Sequence, residues 1–102
     1  MKRLENKVAL VTGGGRGMGA NITKRLAAEG AAVVLTYSKS AEQSEKIAAQ
    51  INAAGGKALA LKADNALPQE LAGAVGKTIA EFGHIDILVN NAGIYIGKAF
   101  EE

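Results

Sequence analysis

The chain has 102 residues, enough for one small domain with a buried core. Its formal net charge is +2, with Lys2, Arg3, Lys7, Lys24, Arg25, Lys57 and Lys62 scattered among acidic residues, which argues against a nucleic-acid partner. Cysteine is absent and no apolar stretch approaches the ~18 residues that span a bilayer, so a disulfide framework, a thiolate metal site and a membrane partner are excluded and a cytoplasmic protein is expected.

Met1-Lys2-Arg3 before Val8–Val11 only faintly resembles a signal peptide, because Glu5 and Lys7 interrupt it and the apolar run is too short. Lys7–Thr12 instead reads as a short strand buried on both faces. Gly17–Glu29 reads as a helix, with Met18, Ile22 and Leu26 recurring every four residues and Gly30 as its stop. Ala31–Tyr37 is a second strand, rich in Val. Ser40 and Gln43 form a Ser-x-x-Gln capping box for a helix from Ala41 to about Ala54, whose buried stripe is Ile47 and Ile51. Gly55-Gly56 ends it.

Lys57–Ala63 is a third strand, with Leu59 and Leu61 apolar and Ala58, Ala60 and Ala63 leaving room for packed helices. Pro68 opens a third helix with Leu71, Val75, Ile79 and Phe82 as its inner face. Gly73 and Gly76 each cost it up to ~1 kcal/mol relative to Ala, which makes it the weakest helix unless they allow close packing on the sheet. Gly83 stops it. Ile85–Val89 is a fourth strand, followed by Asn90-Asn91-Ala92-Gly93.

Strands alternating with helices over short connections imply parallel pairing and right-handed crossovers. The expected class is α/β, a Rossmann-type three-layer fold with a parallel sheet of order 3-2-1-4, stopping soon after its fourth strand. Residues 1–102 then form one dinucleotide-binding domain, the N-terminal part of a longer fold. The outer edge of Ile85–Val89 would lack a partner, which favours self-association into a homo-oligomer.

Between the first strand and the first helix stands Thr12-Gly13-Gly14-Gly15-Arg16-Gly17-Met18-Gly19. Its Gly15-x-Gly17-x-x-Ala20 matches G-x-G-x-x-G/A in the required strand-before, helix-after context. A dinucleotide pyrophosphate docks at such a turn: bare backbone lets it approach, and the helix N-terminus presents free N–H groups and a positive dipole end. A nucleotide-triphosphatase loop is excluded, because no Gly-Lys-Ser/Thr follows. About 20 residues on, an acidic residue would favour NAD by binding ribose hydroxyls. The chain has Thr36-Tyr37-Ser38-Lys39 there instead. Lys39, Ser38 and Arg16 suit a 2′-phosphate, so NADP(H) is expected over NAD(H). No metal ligand set is recognised. His84, the only histidine, reads as a cap or a solvated side chain.

Thr12-Gly13-x-x-x-Gly17-x-Gly19, Asp64 after the third strand and Asn90-Asn91-Ala92-Gly93 after the fourth together resemble the short-chain dehydrogenases/reductases, within them most the 3-oxoacyl-(acyl carrier protein) reductase group. The resemblance implies that Gly13, Gly15, Arg16, Gly17, Met18 and Gly19 wrap the pyrophosphate and ribose. It implies that Ser38 and Lys39 meet the 2′-phosphate and that Asp64 accepts a hydrogen bond from the adenine amino group, with the Asn65 backbone beside it. Asn90, Asn91, Ala92 and Gly93 would shape the floor under the adenosine-side ribose. Asn65, Ala66 and Leu67 depart from the family's usual apolar residue and polar cap before Pro68.

The family's chemistry is similar to proton transfer by a Tyr-x-x-x-Lys pair, with a Ser and a further Asn, during hydride transfer between nicotinamide and a carbonyl/alcohol pair. Here Tyr37 and Tyr95 are followed four positions later by Ala41 and Ala99. No catalytic residue is therefore assigned, and the catalytic half is expected beyond Glu102. The chain alone is expected to bind NADP(H) without turning over substrate. A non-catalytic NADP(H)-binding module is the alternative. An S-adenosylmethionine-dependent methyltransferase would want an acid where Tyr37 stands.

Overall fold

A computed structural model describes residues 3–13, 17–39, 41–63, 68–90 and 93–96. In chain order these form β1 (Val8–Val11), α1 (Gly17–Ala28), β2 (Ala32–Tyr37), α2 (Ala41–Ala53), β3 (Lys57–Lys62), α3 (Pro68–Phe82), β4 (Ile87–Asn90) and β5 (Gly93–Ile96). The sheet order is β3-β2-β1-β4-β5. The first four strands are parallel and have the expected 3-2-1-4 order. β1 is buried throughout because it lies between β2 and β4, with Val8 opposite Ala32 and Ala9 opposite Ile87.

Alternation along the strands divides the core. Ala9, Val11, Val33 and Val89 meet Ile22, Leu26 and Ala27 of α1 on one face. Leu35 meets Ala20, Ile47, Ala48 and Ile51 beside them. Leu10, Val34, Ile85 and Leu88 meet Val75 and Phe82 of α3 on the other face. Two helices thus cover one side and a single helix covers the other. The end of α2 is fastened to β3 by Asn52, whose side chain donates to the Ala58 carbonyl at 3.0 Å and accepts from the Ala58 amide at 2.9 Å.

Several expectations are corrected. β4 starts at Ile87 and runs through Asn90, not Ile85–Val89. Ile85 is buried by packing just before the strand. Asn90 and Gly93 are strand residues paired across the β4–β5 ladder. β5 runs antiparallel along β4, so the outer edge of β4 is not free and the self-association argument based on it fails. In α3 the buried residues are Ala74 and Thr78, while Ile79 is 39% exposed. Thr78 can be buried because its hydroxyl donates to the Ala74 carbonyl at 2.7 Å. Met18 is 78% exposed rather than part of the α1 stripe. The small residues Gly19, Ala20 and Thr23 are the ones α1 buries. Ile47 and Ile51 of α2 are buried as expected. The Ser40 cap lies outside the described residues.

Candidate functional site

The carboxyl ends of β1, β2 and β4 meet where the chain order reverses, with β2 on one side of β1 and β4 on the other. Two buried threonines tie these ends together. Thr12 donates its amide to the Val89 carbonyl at 2.9 Å, and its hydroxyl to the same oxygen at 3.3 Å. The Gly13 amide turns the other way and donates to Thr36 Oγ1 at 3.2 Å. Thr12 and Thr36 are both 1% exposed.

Gly13 adopts φ 67° and Gly17 φ 51°. Both lie in the left-handed region that side chains resist. A Cβ at Gly17 would meet open space, so backbone conformation alone calls for glycine there. Helix α1 then begins with no acidic residue in its first turn. Its free N–H groups and the positive end of its dipole face the same region, with no carboxylate in that turn to oppose them. This fits an anionic diphosphate: bare backbone at the turn and an unneutralised helix start. Gly19 is buried against the core, whereas Met18 stands in solvent. Gly15 and Arg16 lie outside the described residues.

At the end of β2, Tyr37 is half-buried and its hydroxyl donates to Glu45 Oε2 at 3.5 Å. Ser38 and Lys39 follow directly and are exposed. The Ala63 amide donates to the Tyr37 carbonyl at 2.8 Å. The end of β3 is thereby held beside the end of β2. Asp64 and Asn65, next in the chain, lie outside the described residues, as do Asn91 and Ala92. Asn90 follows Val89, the residue whose carbonyl receives Thr12.

Among the described site residues, the structure brings Gly13 against the last turn of β2 and leads Ser38 and Lys39 out beside it. The Gly13 N–H is directed at Thr36, so Gly13 contributes its conformation rather than a donor aimed at an anion. Thr36 received no role in the sequence reading. The available signal was a hydroxyl in an otherwise apolar strand, one position before the ribose-side residues.

His84 lies at the opposite, amino-terminal end of the strands. It is exposed, in keeping with the solvated reading, and its Nε2 is 2.8 Å from Asp86 Oδ2. The same carboxylate oxygen accepts the Val8 amide at 2.8 Å. Asp86 therefore joins the starts of β1 and β4. A groove of about 470 Å³ lies at this end, lined in part by Lys7, Lys57, Phe82 and His84. Among the described residues, no group of three or more His, Asp or Glu side chains could hold a metal ion, and no helix is long and apolar enough to cross a membrane.

The chain's likeness to known proteins agrees with this geometry. The family model described as short chain dehydrogenase matches residues 7–102. An oxidoreductase of Methylorubrum extorquens is 46% identical over 102 residues, which covers 100% of this chain and 41% of that protein. Versicolorin reductase 1 of Aspergillus parasiticus is 48% identical over 92 residues, covering 90% of this chain and 35% of that protein. A crystal structure of a short chain dehydrogenase from Burkholderia cenocepacia J2315 in complex with NADP superposes with a TM-score of 0.86 at 54% identity, covering 92% of this chain and 38% of that one. The chain spans well under half the length of these relatives. With a match over nearly its whole length and the glycine turn at the head of a 3-2-1-4 sheet, this chain belongs to the short-chain dehydrogenase/reductase family, and what it carries is the NAD(P)-binding region.

Proposed function

We propose that this chain is the cofactor-binding half of an NADP(H)-dependent oxidoreductase that moves a hydride between nicotinamide and a carbonyl/alcohol substrate. The observation that carries the proposal is the turn between β1 and α1: left-handed Gly13 and Gly17 lead into a helix whose first turn has no acid. When bound, the nicotinamide supplies or accepts the hydride. In the proposal, Gly13 and Gly17 give the turn its shape and the first amides of α1 receive the diphosphate, with Gly15, Arg16, Met18 and Gly19 around it. Ser38 and Lys39 receive the 2′-phosphate. Asp64 and Asn65 hold the adenine, and Asn90 to Gly93 lie under the adenosine-side ribose.

The preference for NADP(H) is supported by the absence of a carboxylate at Thr36-Tyr37-Ser38-Lys39, by exposed Lys39, and by the NADP held in the Burkholderia cenocepacia relative. The substrate is proposed only as a carbonyl/alcohol pair. The relatives do not single out the 3-oxoacyl-(acyl carrier protein) reductases, since one at 48% identity is a versicolorin reductase. The 102 residues contain no Tyr-x-x-x-Lys, so by themselves they are proposed to bind nucleotide without turnover. The same absence leaves a non-catalytic NADP(H)-binding module as the second reading. Homo-oligomeric assembly and a cytoplasmic location belong to the proposal as well. The outer edge of β4 does not serve for self-association, because β5 pairs with it. Calorimetric titration with NADPH and NADH tests the proposal: tighter NADPH binding is expected, and equal affinities would remove the roles given to Arg16 and Lys39.

A further inference from the structure

We infer that Thr36 is a positioning residue for the glycine turn, its buried hydroxyl holding the Gly13 peptide in the conformation from which a dinucleotide diphosphate is received. The inference rests on the proposed function and adds to it a residue outside the glycine motif. On the β2 side the β1 ladder ends at Val11 opposite Leu35. On the β4 side it is extended by the Thr12 amide, which reaches Val89. Gly13 is the next donor, and no strand carbonyl receives it. Thr36 Oγ1, on a residue 1% exposed, receives it instead across 23 residues of sequence, while Gly13 itself is half-buried.

Without that acceptor the Gly13 N–H would lose its protein partner at a half-buried strand end. An unpaired N–H is costly where water reaches it poorly, so the peptide would turn toward solvent and leave its left-handed setting. A turn held in its binding conformation before the ligand arrives binds more tightly than one that must be ordered. Because the Gly13 N–H is already satisfied by protein, the anion is left to the free amides at the start of α1. Thr36 also directly precedes Tyr37-Ser38-Lys39. One hydroxyl therefore ties the diphosphate turn to the segment proposed to read the 2′-phosphate.

This position predicts a signature different from that of Lys39. The diphosphate is common to NADPH, NADH and ADP-ribose, so loss of the Thr36 hydroxyl weakens all three alike. Loss of Lys39 weakens NADPH alone. The test uses Thr36→Val, which keeps the branched shape suited to a strand, and Thr36→Ser, which keeps the hydroxyl. Thr36→Ala is a second variant without the hydroxyl should the valine chain fail to fold. Thr36→Val is expected to lose about fivefold in affinity for each of the three ligands, with Thr36→Ser close to wild type. In the ligand-free chain, the Gly13 amide is expected to exchange its hydrogen about fivefold faster in Thr36→Val and not in Thr36→Ser. Wild-type affinity in Thr36→Val, or unchanged Gly13 exchange, overturns the positioning role while leaving the proposed function intact. A wild-type chain that binds none of the three ligands overturns the proposed function, and the positioning role with it.

Discussion

Among the described residues, Ser44 Oγ is the one buried side-chain polar atom without a hydrogen-bond partner. Such an atom loses its water and gains nothing in return. Ser44→Ala is therefore expected to stabilise the chain by up to ~1 kcal/mol in urea unfolding, and a loss of stability would show that the hydroxyl has a partner after all. Asp86 is the opposite case. Its Oδ2 takes both the Val8 amide and His84 Nε2 at 2.8 Å. Asp86→Ala strands a backbone donor at the start of the central strand and is expected to cost about 1–3 kcal/mol in the same measurement. At the proposed ribose end, Lys39→Gln is expected to weaken NADPH about fivefold and leave NADH unchanged in paired titrations, because an exposed cation on a phosphate contributes modestly. The sequence alone singles out Lys39 and the glycines as candidates, from their residue types and their places after a strand. It does not show the roles of Thr36, Asp86 and Asn52, because a side chain that fastens two distant strands or a helix to a strand is defined by its partner, and the partner depends on register.

At the scale of elements, α3 carries the clearest consequence of its sequence. Gly73 and Gly76 are exposed, and a Cβ at either would meet nothing within 4 Å. They do not serve close packing against the sheet, so their helix cost stands uncompensated. Gly73→Ala and Gly76→Ala are each expected to stabilise by up to ~1 kcal/mol, a rise of several degrees in melting temperature for a chain of this size. Gly56→Ala is the contrast. Its Cβ would lie 2.8 Å from Ile51 Cγ2 and 3.2 Å from the Ile51 carbonyl, so it is expected to destabilise. The elements themselves were legible because a doubly covered parallel sheet needs apolar strands and a glycine stop after each helix. The misreadings have separate causes. Ile85 is buried without belonging to β4, Ile79 fits the helical period yet faces out, and the turn signal of Asn-Asn-Ala-Gly concealed the antiparallel pairing of Asn90 with Gly93.

Taken whole, the molecule is uneven. Leu10, Val34 and Leu88 lie under α3 alone, whereas the opposite face is covered by α1 and α2. Thr36 alternates with Leu35 and shares the face of Val34, so the fastening of Gly13 lies on the α3 side of the sheet. A ligand that binds only the folded chain stabilises it by about 2.7 kcal/mol at a hundredfold excess over its dissociation constant. The 3-2-1-4 order, and with it the end of the sheet where the site is proposed, was readable from the alternation of elements. The fit between turn and ligand was not, because it depends on which main-chain amides protein partners already occupy. The most direct test of the central claim is a calorimetric titration of the wild-type chain with NADPH and with NADH. Saturable one-to-one binding, tighter for NADPH, is the predicted result; no heat of binding from either nucleotide would contradict the assignment of the β1–α1 turn as a diphosphate site.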